Sequence, residues 1–348
     1  MTCEDMIDLD EPIDPYSLVE ASLVLHPAFQ TALRRVEQCF RAKQRSKEAI
    51  CLSVVGESRT GKSRVLEEFT RAHPPVRDAD GLTVPIVQVS VPALPTVIGL
   101  VELILDELGD PVPSKGTESQ KTRRARKLMK ETRTVILALD EFQHFYDKST
   151  QRIQEIVADW LKVFVDKAQL GLVVAGLPSC LPVLRRNEQL RGRTLAPAKL
   201  PRFDWTVAEE RNTFIDILVG LHKALPEFDL PTPESDEMAF RFYCGSGGLI
   251  GYVTKLLRQA VWNALDADTK QISLEDLAQA FREIDISEEG KYLAVANPFE
   301  RGFCTAVTDE LLAAVRLIGT PALEEQPERP RRGKKRPSAK LGEILSTR

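Results

Sequence analysis

The stretch Gly56-Glu57-Ser58-Arg59-Thr60-Gly61-Lys62-Ser63 constrains the fold more than any other in the chain. It has the spacing G-x-x-x-x-G-K-S, the phosphate-loop pattern. Glycines let the backbone wrap an anion with its N–H groups, where a side chain would block the approach. The pattern works only if a strand delivers the loop and a helix leaves it, so that the helix N-terminus faces the phosphate. Both are present: the apolar run Cys51–Val55 comes before it, and Lys62–Ala72 has helical character after it. Lys62 is placed to reach β- and γ-phosphates, and the Ser63 hydroxyl to ligate Mg²⁺. We take Gly56, Glu57, Ser58, Arg59, Thr60, Gly61, Lys62, Ser63 and Arg64 as the candidate nucleotide-binding residues.

A second motif lies downstream. Val135-Ile136-Leu137-Ala138-Leu139 is an apolar run that ends in Asp140-Glu141. Two acids at a strand end are common and prove little alone. After a phosphate loop they form the Walker B pattern: Asp140 as a metal ligand, directly or through water, and Glu141 as general base for the attacking water. Together the motifs point to nucleotide hydrolysis. No guanine-reading N-K-x-D follows, which favours ATP over GTP as the nucleotide.

Periodicity supplies the frame for these motifs. Strand-like runs occur at 49–55, 83–91, 134–139, 170–175 and 196–200. They alternate with helical patterns at 22–46, 62–72, 97–108, 121–130, 152–167 and 180–190. That alternation predicts an α/β fold with a parallel sheet covered by helices. After Phe203 the pattern becomes helical throughout, at 207–225, 234–243, 248–265, 274–283 and 306–318, which predicts a small separate helical domain. Within it, Gly245-Ser246-Gly247-Gly248-Leu249-Ile250-Gly251 opens a helix. These glycines suit either close approach to a nucleotide or a tight helix–helix turn.

Charge is distributed unevenly along the 348 residues, although the net charge is only −4. Residues 1–20 carry seven acids and no base. Residues 115–133 carry eight bases against two acids, and the proline-rich tail 324–348 carries eight bases against four. Such zones suit a polyanion partner or simply a solvated face. Lys121, Arg123, Arg124 and Lys127 are the candidate DNA contacts in the first basic zone, with the loop Pro92–Thr96 as a further candidate. No base-reading motif is visible, so any DNA binding is expected to be independent of sequence and sensitive to salt. The six cysteines are scattered and have no metal-ligand spacing, so reduced, mostly buried thiols are expected. No run approaches the length of a membrane helix, and the acidic start does not read as a signal peptide. A cytoplasmic protein is therefore expected.

These blocks add up to a family resemblance. His26-Pro27-Ala28-Phe29, GESRTGKSR, LALDEFQHF, WLKVFVDKAQLGLVVAGLP, NEQLRGR, LPRFDW, SGGLIGYVTKLLRQAVWNAL and QISLEDL span residues 26 to 277 in this order. In them the chain resembles the AAA+ ATPases of the TniB/TnsC type, transposition regulators of Mu- and Tn-like elements and of CRISPR-associated transposons. The resemblance implies an AAA+ core at 25–205 and a helical lid at 206–290. These are flanked by an acidic N-terminal segment at 1–24, a helical extension at 291–323 and a basic, disordered tail at 324–348.

It also implies ATP and Mg²⁺ as cofactors, and a homo-oligomer that assembles on duplex DNA as a ring or helical filament of six or more subunits per turn. Its implied partners are a transposase and a TniQ-like targeting protein, the latter within an RNA-guided complex in some systems. Arg191 and Arg193 are the candidate arginine fingers for a neighbouring subunit's γ-phosphate. A polar sensor residue often ends the strand before that finger. Here the strand ends Ala175-Gly176, with Ser179 a little later, which implies slow hydrolysis suited to a timer. Two other classes fit the same motifs: another AAA+ matchmaker, such as a helicase loader or origin-type initiator, and a nucleotide-gated scaffold in which hydrolysis is incidental. An initiator calls for a winged-helix domain after the lid, and the segment 291–348 suits one poorly.

Overall fold

A computed structural model describes residues 14–147, 151–186, 188–232, 235–284 and 295–319. The acidic head up to residue 13 and the basic tail 324–348 lie outside the described residues. Seven strands occur among them: β1 (Cys51–Val55), β2 (Val76–Asp78), β3 (Gly81–Thr83), β4 (Ile86–Ser90), β5 (Ile136–Asp140), β6 (Gly171–Gly176) and β7 (Ala198–Lys199). Five of them form one parallel sheet in the order β4-β5-β6-β1-β7. The chain thus runs from β1 in the interior out to β4 at an edge, back through β5 and β6, and past β1 to β7.

Both faces of this sheet are buried, and the strands show it residue by residue. Leu52, Val54, Ile136, Ala138, Val173 and Ala175 pack with Phe29, Val36 and Phe40 of the helix Pro27–Arg45 and Val65 and Phe69 of the helix Lys62–Arg71. Their neighbours Val55, Leu137, Leu139, Leu172 and Val174 point the other way. They pack with Leu100, Ile104 and Leu105 of Val97–Glu107, Met129 of Glu118–Glu131 and Leu161 and Phe164 of Gln151–Ala168. Period-two strands covered on both sides read as continuous apolar runs, as the sequence does.

The expected strand 83–91 is in fact two. Residues Gly81–Thr83 turn back antiparallel against Val76–Asp78 in a separate two-stranded sheet, and the parallel strand begins only at Ile86. Pro85 lies between them; it has no N–H to give a ladder and is tolerated just before a strand starts.

The helices Ala208–Lys223, Asp236–Ser246, Ile250–Asp266 and Leu274–Glu283 share a third apolar cluster, rich in aromatics: Phe203, Trp205, Phe214, Phe240, Tyr243 and Phe281. Segments from both ends of the chain join it. Val19 is buried there, and Leu312, Val315 and Ile318, on and just beyond the helix Asp309–Arg316, close another side. The N-terminal strap is pinned by the Trp262 indole, which donates to the Tyr16 carbonyl at 2.7 Å, and by the Tyr16 hydroxyl on Asp266 at 2.8 Å. Cys39, Cys51 and Cys244 are buried free thiols whose pKa burial pushes up to about 12, while Cys304 is exposed.

His26 sits where the α/β part meets the helical part. Its ring packs against Phe29 of one and Phe203 of the other, and its Nδ1 is buried without a hydrogen-bond partner. Burial lowers its pKa from 6.5 to about 4. The unfolded chain therefore takes up a proton near pH 6.5 that the folded chain refuses until about pH 4. Stability from this source is complete above pH 6.5 and is lost as pH falls through that window, by up to roughly 3 kcal/mol. Urea unfolding at pH 7.5 and pH 4.5 is expected to show this loss in the wild type and a smaller one in His26→Phe, which keeps the ring contacts. An equal loss in both would show that the acid sensitivity lies elsewhere.

Candidate functional site

The phosphate loop leaves β1 at Gly56, whose N–H donates to the Gly176 carbonyl at 3.4 Å. No side chain fits there: a Cβ would lie 2.4 Å from the Leu200 carbonyl oxygen at the end of β7. Gly61 has φ +93° and turns the chain into the helix Lys62–Arg71, a conformation that favours glycine. The loop is braced from within. The Glu57 carbonyl accepts the Thr60 hydroxyl at 2.9 Å and the Lys62 ammonium at 2.6 Å. Ser58 is exposed, and Arg64 turns along its own helix to Glu68 at 2.9 Å and Glu67 at 3.6 Å. Arg64 therefore faces carboxylates on its helix.

The end of β5 meets this loop. Asp140 is buried, and the nearby Ser63 hydroxyl favours its charged form. The next residue, Glu141, has φ +53°, and its N–H donates to the Asp140 carboxylate at 2.8 Å. Burial pushes Asp140 up from the usual carboxylate range, opposed by the Ser63 hydroxyl and the Glu141 N–H. Burial lowers the Lys62 pKa, opposed by the carboxylates of Glu141 and Asp140. One ammonium and two carboxylates thus share a desolvated corner, where electrostatic interactions are strong. The donor set fits Mg²⁺: a hydroxyl and a carboxylate, both hard oxygens, brought to one corner.

The helical part rests directly on the loop. The Gly251 N–H donates to the Arg59 carbonyl at 2.8 Å, and a Cβ on Gly251 would lie 2.9 Å from that oxygen. The Arg59 guanidinium lies 5.7 Å from the centre of the Tyr252 ring. Gly247 and Gly248, at φ +64° and +74°, turn the chain between helices, and the Phe203 N–H donates to the Gly248 carbonyl at 3.0 Å. Both sequence readings of this glycine block are thus modified. Gly247 and Gly248 do form a tight turn, but the close approach, made by Gly251, is to the phosphate loop's own backbone.

Arg202 was missed as a site residue, although it lies in the LPRFDW block. Its Nε and Nη2 donate to Glu57 Oε2 at 2.9 and 2.7 Å. Its Nη1 donates to the Gly247 carbonyl at 2.9 Å and Nη2 to the Ile318 carbonyl at 2.8 Å.

The other expected site residues lie away from this corner. Arg191 is exposed and Arg193 pairs with Asp166 of the helix Gln151–Ala168. Thr194, next to them, bridges to Cys51 at the start of β1, the end of the strand opposite the phosphate loop. Neither arginine is placed to serve its own subunit's loop.

The four expected DNA contacts divide by face. Lys121 is buried and paired with Glu102. Arg124 pairs with Asp110 and donates to the carbonyls of Lys115, Val112 and Pro113. Lys121 is thus an internal strut, against its expected role as a DNA contact, and Arg124, with 30% of its side chain exposed, braces the loop 110–115. Arg123 and Lys127 are exposed, and with exposed Lys130 they occupy positions i, i+4 and i+7, one face of the helix.

Comparison with known proteins accords with this geometry. A family model described as "Bacterial TniB protein" matches residues 17–205, more than half of the chain, and the protein belongs to that family. No curated protein matched the sequence. Among solved structures, Cdc6p from Pyrobaculum aerophilum is similar at 16% identity and a TM-score of 0.57 over 77% of this chain and 70% of that one. Aeropyrum pernix ORC2, solved with ADPNP and ADP, is similar at 16% identity and 0.55 over 77% and 71%. Aeropyrum pernix ORC1, solved in complex with DNA, is similar at 16% and 0.54 over 77% and 69%. The fold is that of an AAA+ P-loop ATPase.

Replacing Arg202 by alanine removes donors to a carboxylate and two carbonyls at once. Amide hydrogen exchange of Arg202→Ala is expected to rise selectively at 57–61 and 247–251, with a drop in Tm of a few degrees. Unchanged exchange at 247–251 would mean that Arg202 does not hold the helical part to the loop.

Proposed function

Taking membership of the TniB family as the premise, we propose that this protein is an ATP-dependent regulator of DNA transposition that assembles on duplex DNA with ATP bound and leaves it on hydrolysis. The observation that carries the reading is the meeting of the phosphate loop, the Ser63 hydroxyl beside buried Asp140, and Glu141 in one corner, with the helical lid bonded to the loop backbone through Gly251. Nucleotide entering this corner must displace the Lys62 ammonium from the Glu57 carbonyl, so occupancy is felt by the loop that the lid touches. Gly56 to Ser63 cradle the phosphates and Lys62 neutralises them. Ser63 and Asp140 hold Mg²⁺, which offsets phosphate charge when bound. Glu141 takes the proton from the attacking water. Arg191 or Arg193 reaches a neighbouring subunit's phosphate, Arg193 after leaving Asp166.

DNA is the proposed polyanion. The exposed stripe Arg123, Lys127 and Lys130 supports it, and among structures of the same fold ORC1 was solved on DNA. Successive subunits repeating such a stripe would track a phosphate backbone without reading bases. The transposase and a TniQ-like targeting protein, within an RNA-guided complex in some systems, are the proposed protein partners, and the cytoplasm the proposed compartment.

Two measurements test this. Glu141→Gln is expected to lower ATP turnover about 100-fold or more while keeping ATP-dependent assembly on DNA, and to lengthen its lifetime. Release at the wild-type rate would contradict the mechanism. The triple variant of Arg123, Lys127 and Lys130 to alanine is expected to weaken binding to random duplexes uniformly. The slope of log affinity against log salt should fall by about 0.9 for each lost phosphate contact. Lys121→Ala should instead lower Tm, because it strands Glu102 without its partner. An unchanged slope in the triple variant would move the interface elsewhere.

A further inference from the structure

Gln143 follows the Walker B acids, and neither motif gives it a role. Its side chain is buried, and its amide spans two partners. Oε1 accepts the Leu177 N–H at 3.1 Å, and Nε2 donates to Glu141 Oε2. The backbone N–H of Leu177 is only a donor and the carboxylate of Glu141 only an acceptor when ionised, so the amide has one workable orientation. Turning it over would set N–H against N–H and oxygen against oxygen. Gly176 makes the room: a Cβ there would lie 2.6 Å from Gln143 Oε1. The same strand end is tied to both motifs. The Ala175 carbonyl accepts the Phe142 N–H at 3.0 Å, and the Gly176 carbonyl accepts the first N–H of the phosphate loop. The end of β6 itself offers only Ala175 and Gly176, with no polar side chain.

We infer that Gln143 is a positioning residue for hydrolysis: its amide fixes the Glu141 carboxylate against the end of β6 and leaves the second carboxylate oxygen for water. The inference rests on the reading of Glu141 as the general base. A base acts only within hydrogen-bond reach of the proton it takes, and a displacement of about 1 Å can cost about 100-fold in rate. Glu141 sits on a one-residue left-handed turn, and Gln143 is the group that holds its far end. Glutamine suits this span. Asparagine is one methylene short, and glutamate keeps the acceptor for Leu177 but loses the donor for Glu141.

The test is steady-state and single-turnover ATP hydrolysis by the full chain, alongside binding of a non-hydrolysable ATP analogue. Gln143→Glu removes the donor and sets a second carboxylate against Glu141, and Gln143→Met removes both polar ends at similar volume without adding charge. In each, kcat is expected to fall about tenfold or more, with the KM for ATP and the Kd for the analogue within twofold of wild type. Neither should slow hydrolysis further when combined with Glu141→Gln, because residues that act through one group are not additive. Wild-type or raised kcat in both variants would overturn the inference, and so would a full extra loss in the Glu141→Gln background. Should one variant fail to fold, the other decides by the same criteria. Glu141→Gln alone separates the two claims. If it hydrolyses normally, the reading of Glu141 falls. If it is inactive while the Gln143 variants are not, only the role of Gln143 falls.

Discussion

The Arg202 guanidinium joins three parts of the chain that are far apart in sequence. It holds the Glu57 side chain of the phosphate loop, the Gly247 carbonyl in the turn between two lid helices and the Ile318 carbonyl after the last described helix. A guanidinium has five N–H donors in a rigid plane, so it can hold several acceptors at once in fixed geometry, as a lysine cannot. Its side chain is 12% exposed, against 47% for Glu57, so the bond to Glu57 is only partly screened by water. The phosphate loop is thereby held on one side by the sheet, through Gly56, and on the other by the helical part, through Arg202 and Gly251. A ligand that reshapes this loop acts on both contacts.

The electrostatics of the corner follow from burial. Lys62 and Asp140 would each be poorly solvated alone, and opposite charges and hydrogen bonds around them offset the loss. In this arrangement Lys62 donates to its own loop, and the Ser63 hydroxyl favours the Asp140 carboxylate. A triphosphate would replace the Lys62 bond to a neutral carbonyl with one between two charged groups. Such a site favours nucleotide without needing a large rearrangement of the sheet beneath it.

The α/β core was legible because its determinants are local and periodic. Strands buried on both faces are continuous apolar runs, and the phosphate loop needs a fixed spacing of glycines and a lysine. What escaped the sequence depends on direction. A run of bases at 115–133 has the same composition whether its members face water or a carboxylate. The placement of Glu102 and Asp110 draws Lys121 into the interior and Arg124 onto the loop 110–115, and leaves Arg123, Lys127 and Lys130 outside. The helical period separates these two sets and could have been used. Arg202 and Gln143 gave no such signal. Their partners lie 145 and 34 positions away for Glu57 and Leu177, and no local pattern marks a contact at that range. The glycines of 245–251 were visible, but what approaches them was not, since the neighbour is backbone nearly two hundred residues earlier.

The central claim is that nucleotide in this corner controls assembly on duplex DNA. It is tested most directly by sedimentation velocity of the full chain with random-sequence duplex, comparing ATP, a non-hydrolysable analogue, ADP and no nucleotide. The account expects large complexes with the triphosphates alone, independent of DNA sequence, persistent with the analogue and decaying with ATP. Complexes of the same size in every nucleotide state, or none in any, would contradict it and leave an AAA+ protein whose site governs something other than DNA.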